Sequence, residues 1–120
     1  MAFEGRFALL HESGQVSSAA IEAATAILTG VVGHLGRPLN EETDAMAATH
    51  LVMAMERMAR GEAIAQMPSV VVDEARTYAA EWEVATALLS SAASRFGRPV
   101  PLAEVCYLTI HLRSLKGEHA

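Results

Sequence analysis

Two segments of this chain repeat each other at one fixed offset, and that repeat limits the fold more than any other feature. Ala24-Thr25-Ala26-Ile27-Leu28-Thr29 returns as Ala85-Thr86-Ala87-Leu88-Leu89-Ser90, Gly36-Arg37-Pro38 as Gly97-Arg98-Pro99, and His50-Leu51 as His111-Leu112. Every pair is separated by 61 residues. Alanine-rich sequence can produce a chance Ala-Thr-Ala, but not a Gly-Arg-Pro turn and a histidine held in the same register. Each copy reads as a helix stopped by glycine and proline, followed by a second helix that carries the histidine. Two copies are too few for a solenoid. They are expected to pack on each other as one bundle.

Composition agrees with a helical chain. At 120 residues there is room for one hydrophobic core without disulfides or metal. Hydrophobic residues make up 52% of the chain but aromatics only 5%, which favours close helix-on-helix packing over a β-sandwich. The single Cys106 excludes a disulfide framework and offers no zinc-ligand spacing. A reducing, cytoplasmic setting is expected. The net charge is −5 and the nine Lys and Arg residues are scattered, so no direct nucleic-acid partner is expected. Glu4, Arg6, His11 and Glu12 interrupt the N-terminus, which argues against a signal peptide. No apolar run is read as reaching the roughly 18 residues of a membrane span.

Along the chain, residues 1–16 form an N-terminal segment in which Phe7 to Leu10 suit either a short helix or a strand, ending near Gly14. Ser17 or Ser18 caps a first long helix, whose Ile21, Ala24, Ile27, Leu28 and Val31 recur at helical spacing. Asn40 caps the next helix, over about 41–60, with Glu41 and Glu42 at its positive end. That helix is apolar nearly all round. One stripe carries Thr43, Met46, Ala47, His50, Met53, Ala54 and Arg57; the opposite side carries Ala48, Leu51, Val52, Met55 and Ala59. Such a helix is normally buried on more than one side, and in a small domain one side is expected to be a subunit interface. Ser69 is the expected cap of a short third helix, with a break near Ala79 or Ala80. A fourth helix runs from about Glu81 to Arg95 and a fifth over about 102–115, the latter placing Glu104, Tyr107, Leu108, His111 and Leu115 on one stripe. The sum is an all-α, five-helix bundle over 17–116, made of two antiparallel helix hairpins and a short connecting helix, with a frayed tail over 117–120.

Three segments together resemble a known family. Thr49-His50-Leu51, the run Glu56-Arg57-Met58-Ala59-Arg60-Gly61, and Val100-Pro101-Leu102-Ala103-Glu104-Val105-Cys106-Tyr107-Leu108-Thr109-Ile110-His111 look like the PTS regulation domain, or PRD. This is the five-helix module of bacterial antiterminators and activators controlled by the sugar phosphotransferase system. Each motif alone is degenerate; both histidine segments, correctly separated on a helical chain, are more specific. The resemblance implies that His50 and His111 are phosphoryl acceptors, served by the carrier protein HPr or by an enzyme IIB, and that the domain forms a homodimer through its histidine-bearing surface. It further implies that Arg57 and Glu104 reach across to another hairpin or subunit.

The residue chemistry fits that implication. A histidine with an ordinary pKa near 6.5 is largely neutral at pH 7 and presents a ring nitrogen as nucleophile. The bland reading of a histidine on an apolar stripe is a satisfied core residue, and the shared register is what weighs against it here. Arg57 and Glu104 lie two turns, about 11 Å, from the histidine of their own helix, so neither reaches it within the helix. Their bland readings are a solvated charge and helix-end complementarity. His34 reads as a cation at a helix end, and His11 and His119 as solvated.

No two metal ligands stand at the i, i+3 or i+4 spacing of a histidine-glutamate zinc motif, and no nucleophile meets a base and an orienting group. Neither a metal, a cofactor nor an enzymatic activity is expected. The methionines Met46, Met53, Met55 and Met58 read as adaptable packing. The flanking residues suggest no RNA-binding segment, helix-turn-helix or fused enzyme II module, so a stand-alone regulatory module acting on a separate protein is expected. The alternative is a helical dimerisation or adaptor protein whose histidines never receive phosphate.

Overall fold

Gly36 and Gly97 both adopt left-handed backbone, at φ +72° and +62°, and each closes an 18-residue helix. A side chain at either site would meet its own backbone, so glycine sets both stops. In the computed structural model, which describes residues 3–62 and 66–117, six helices form: α1 (Glu4–Glu12), α2 (Ser18–Leu35), α3 (Glu41–Ala59), α4 (Ser69–Thr77), α5 (Ala79–Phe96) and α6 (Leu102–Gly117). Helices α2 and α5 begin and end 61 residues apart, and α3 and α6 begin 61 residues apart. The sequence repeat is therefore a structural one. No strand occurs among the described residues.

The chain divides into two units, one over residues 1–62 and one over 63–120. In the first, α2 packs on α3, and α1 also packs on α3. In the second, α5 packs on α6, and α4 packs on both. The expectation of five helices needs correcting here. The N-terminal segment is helical, and α1 stands to α3 as α4 stands to α6. Each unit is thus a helix pair with a short third helix, rather than a bare hairpin. Phe3 and Phe7, 1% exposed each with ring centroids 6.3 Å apart, anchor α1. The expected frayed tail and solvated His119 fall mainly on residues 118–120, outside the described residues.

Local signals explain most helix ends. The Ser17 side chain accepts a hydrogen bond from the Ala20 N–H, and the Asn40 side chain accepts from the N–H groups of Glu42 and Thr43. Asp44 completes the second cap by accepting the Asn40 N–H at 2.7 Å. These bonds satisfy amides that the helix itself leaves without partners. Ser69 departs from expectation: it is the first residue of α4, the cap position falls on Pro68, and no side chain caps that end. Proline's fixed φ suits the position before a helix, but it has no side-chain acceptor for the first amides. The second break falls at Tyr78, one residue before the expected position.

Ala20, Ala23, Ala24, Ile27, Leu28 and Val31 form the buried stripe of α2. By length and composition alone this helix, with mean hydropathy 1.4 over 18 residues, could cross a membrane. The expectation that no apolar stretch attains that length is corrected accordingly. One third of its residues are buried inside the protein.

Candidate functional site

Helix α3 presents two unlike faces. Ala48, Val52, Met55 and Met58 are 0–1% exposed. The stripe with His50 is wetter: His50, Met53 and Arg57 are half-buried, and Met46 is 87% exposed. A residue four positions earlier lies one turn away on the same face, so Met46 sits directly alongside His50. In α6 the same register holds. His111 is half-buried, Tyr107 four residues before it is 56% exposed, and Leu112 after it is fully buried. The 61-residue offset that pairs the histidines also pairs Met46 with Tyr107. Each histidine therefore stands at the border between core and solvent, with a large apolar side chain open beside it.

Arg57 lies on α3 with His50, and Glu104 lies on α6 with His111. The seven-residue spacing in each helix, about 10.5 Å along the axis, keeps arginine and histidine, or glutamate and histidine, from meeting within one helix. Glu104, in the first turn of α6, is 5% exposed. All four residues make interactions within the protein. Helix α3 thus carries one histidine and one arginine, and α6 one histidine and one buried carboxylate, without joining either pair.

The residue next to Arg57 has a role that the sequence reading missed. Glu56 is 7% exposed, and its Oε1 accepts the Ser17 backbone N–H at 2.8 Å while its Oε2 accepts Arg60 Nε at 2.6 Å. Burial pushes this carboxyl up, but the Ser17 hydrogen bonds, the Arg60 hydrogen bond and the Arg60 charge outweigh it and hold it below the usual glutamate value. Glu56 fastens the last turns of α3 to the start of α2. A Glu-x-x-x-Arg spacing was the available signal; Ser17, 39 residues away, was not readable from it.

The second unit uses a different carboxylate. Glu81, 3% exposed near the start of α5, has Arg113 Nη1 at 3.9 Å and Lys116 Nζ at 3.7 Å, both on α6. Arg113 also lies over the Tyr78 ring, 5.2 Å from its centroid, and Arg76 lies over Trp82 at 5.3 Å. Cys106 is fully buried. Burial pushes its thiol up, and the Arg76 charge and a backbone hydrogen bond only partly offset this. It therefore stays a protonated, inert thiol. Among the described residues, no three His, Cys, Asp or Glu side chains gather as a metal site.

These features define a duplicated all-α domain with one border histidine on the second long helix of each half. Residues 26–115, most of the chain, match the family model of the PRD domain, and the chain belongs to that family. No curated protein and no solved structure gave a match.

Proposed function

We propose that this chain is a regulatory module of the sugar phosphotransferase system that accepts phosphate on His50 and His111. The observation that carries the reading is the register. Both histidines hold the same position in matched helices, half-buried and each beside an exposed apolar residue, inside a segment that matches the PRD domain. The phosphodonor is HPr or an enzyme IIB. The phosphoryl group passes from the donor's phosphorylated side chain to a ring nitrogen of the acceptor histidine, and the donor side chain departs as the leaving group. The new group adds about −1.5 to −2 charges at a half-buried site, which favours repacking of the surface around it. Arg57 and Glu104 are supporting charged residues on the two histidine helices. The module, a single domain over about 17–116 whose two helix pairs form matched halves, then controls a separate bacterial regulator or metabolic protein in the cytoplasm, without contacting nucleic acid or membrane itself.

The test is direct. Pure protein incubated with phosphoenolpyruvate, enzyme I, HPr and candidate enzyme IIB proteins is expected to acquire acid-labile phosphate. The double variant His50→Ala/His111→Ala is expected to acquire none. Absence of label under every condition overturns the reading in favour of a helical adaptor, and label in the double variant moves the site elsewhere.

A homodimer completes the proposal. Met46 at 87% and Tyr107 at 56% exposure supply apolar surface next to the histidines, where a subunit contact would cover it. Light scattering at micromolar concentration is expected to give twice the monomer mass; a clean monomer counts against the interface.

A further inference from the structure

The two histidines share a register but not their neighbours. One turn before His50, on the same face of α3, stands Met46, 87% exposed; one turn before His111 on α6 stands Tyr107, 56% exposed. One turn after them, half-buried Met53 on α3 is matched by exposed Ser114 on α6. Thioethers therefore flank the first histidine and hydroxyls the second. The charges of the two helices differ in the same sense. Helix α3 carries four carboxylates, Glu41, Glu42, Asp44 and Glu56, against Arg57, whereas α6 carries Glu104 against Arg113 and Lys116. A dianion meets less repulsion on α6.

We infer that Tyr107 binds the phosphoryl group of phosphorylated His111 through its hydroxyl, whereas Met46 offers His50 no such donor. This deepens the phosphoacceptor reading, on which its role in the protein rests, and makes the two sites unequal. Side chains four apart on a helix are neighbours, about 6 Å apart along the axis. Helical side chains also lean toward the N-terminus, so the His111 ring leans over the turn that holds Tyr107. A phosphoryl group extends the imidazole outward, to where an exposed phenol carries its hydroxyl. Tyr107 already makes an interaction within the protein; a phenol can donate one hydrogen bond while accepting others. Donation to a charged oxygen is the stronger kind of hydrogen bond. A thioether has no hydrogen to donate.

Phosphoramidate tests the contact without any donor protein. Its P–N bond breaks, a bond forms between phosphorus and a ring nitrogen, and ammonia leaves with the ring proton. Phosphorus NMR follows each phosphohistidine, with signals assigned through His50→Ala and His111→Ala. Loss of the group runs through a loose transition state in which the outer oxygens give up negative charge, so a donor to those oxygens slows it. Phosphate on His111 is expected to outlast phosphate on His50 by about fivefold. Tyr107→Phe keeps the ring and removes the hydroxyl; it is expected to erase that advantage and to move the His111 signal. Met46→Tyr is expected to lengthen the His50 lifetime by a similar factor. Circular dichroism checks both variants; if either fails to fold, the other decides. Equal lifetimes in the parent, an unchanged lifetime in a folded variant, or no uptake at His111 overturns the inference. If these lifetimes hold but enzyme I, HPr and enzyme IIB give no label, the phosphotransferase reading fails and the Tyr107 contact stands.

Discussion

Replacing Glu56 with alanine is expected to lower the unfolding free energy by about 2–4 kcal/mol at neutral pH. The substitution strips the Ser17 N–H of its acceptor and leaves Arg60 without its 2.6 Å partner. It also opens space in a site that is 7% exposed. The loss is expected to depend on pH in a defined direction. The folded carboxyl titrates below its unfolded value, so its contribution is fully present above about pH 4.3 and fades as pH falls through the folded value. Urea unfolding of parent and variant is therefore expected to differ most at neutral pH and to converge in acid. A difference that stays constant down to about pH 3 means that packing, not the carboxylate, supplies the effect. Glu56→Gln separates the two, since it keeps the shape and removes the charge.

Leu112→Ala is expected to cost about 2–5 kcal/mol, the range for emptying a leucine site in a packed core. Its repeat partner Leu51→Ala is expected to cost less, because Leu51 keeps 7% exposure against 0% for Leu112. Both residues directly follow a candidate phosphoacceptor, yet each turns into the core while the histidine stays at its border. Urea midpoints at unchanged slope measure the difference. A larger loss at Leu51 contradicts the burial order. If the variants remain folded, phosphate labelling of each tells whether a firm helix behind the histidine is needed for transfer.

What the sequence revealed about this fold was local. Ser17, Asn40, Gly36 and Gly97 announce helix ends through bonds or backbone angles set within a few residues, and the repeat carries the long-helix boundaries across by register. Helix α1 was less legible because only Phe7 along its length is buried, so it lacks the repeating apolar stripe that marks a packed helix. Its membership in the first unit depends on contact with α3. The positions of His50 and His111 were visible as a pattern of matched spacing. Glu56 and Glu81 were not, since a glutamate in a helix reads as a surface charge until distant groups such as Ser17 or Lys116 are known to meet it.

The two carboxylate ties also set how each half opens. Glu56 joins α3 to the start of α2 by a short, part-buried hydrogen bond from the Ser17 N–H, while Arg60 at the end of α3 itself holds its other oxygen, so those two ends must loosen together. Buried Glu81 meets α6 through Arg113 and Lys116 at 3.7–3.9 Å, both of whose side chains are more than half exposed, and contacts of this length are weaker than a short hydrogen bond. The end of α6 is therefore expected to open at lower cost than the end of α3, as amide hydrogen exchange would show. Identical register thus conceals unequal compliance. A charge placed on His111 would act on a helix tied by longer ion contacts, and one placed on His50 on a helix fastened to its neighbour by a hydrogen bond.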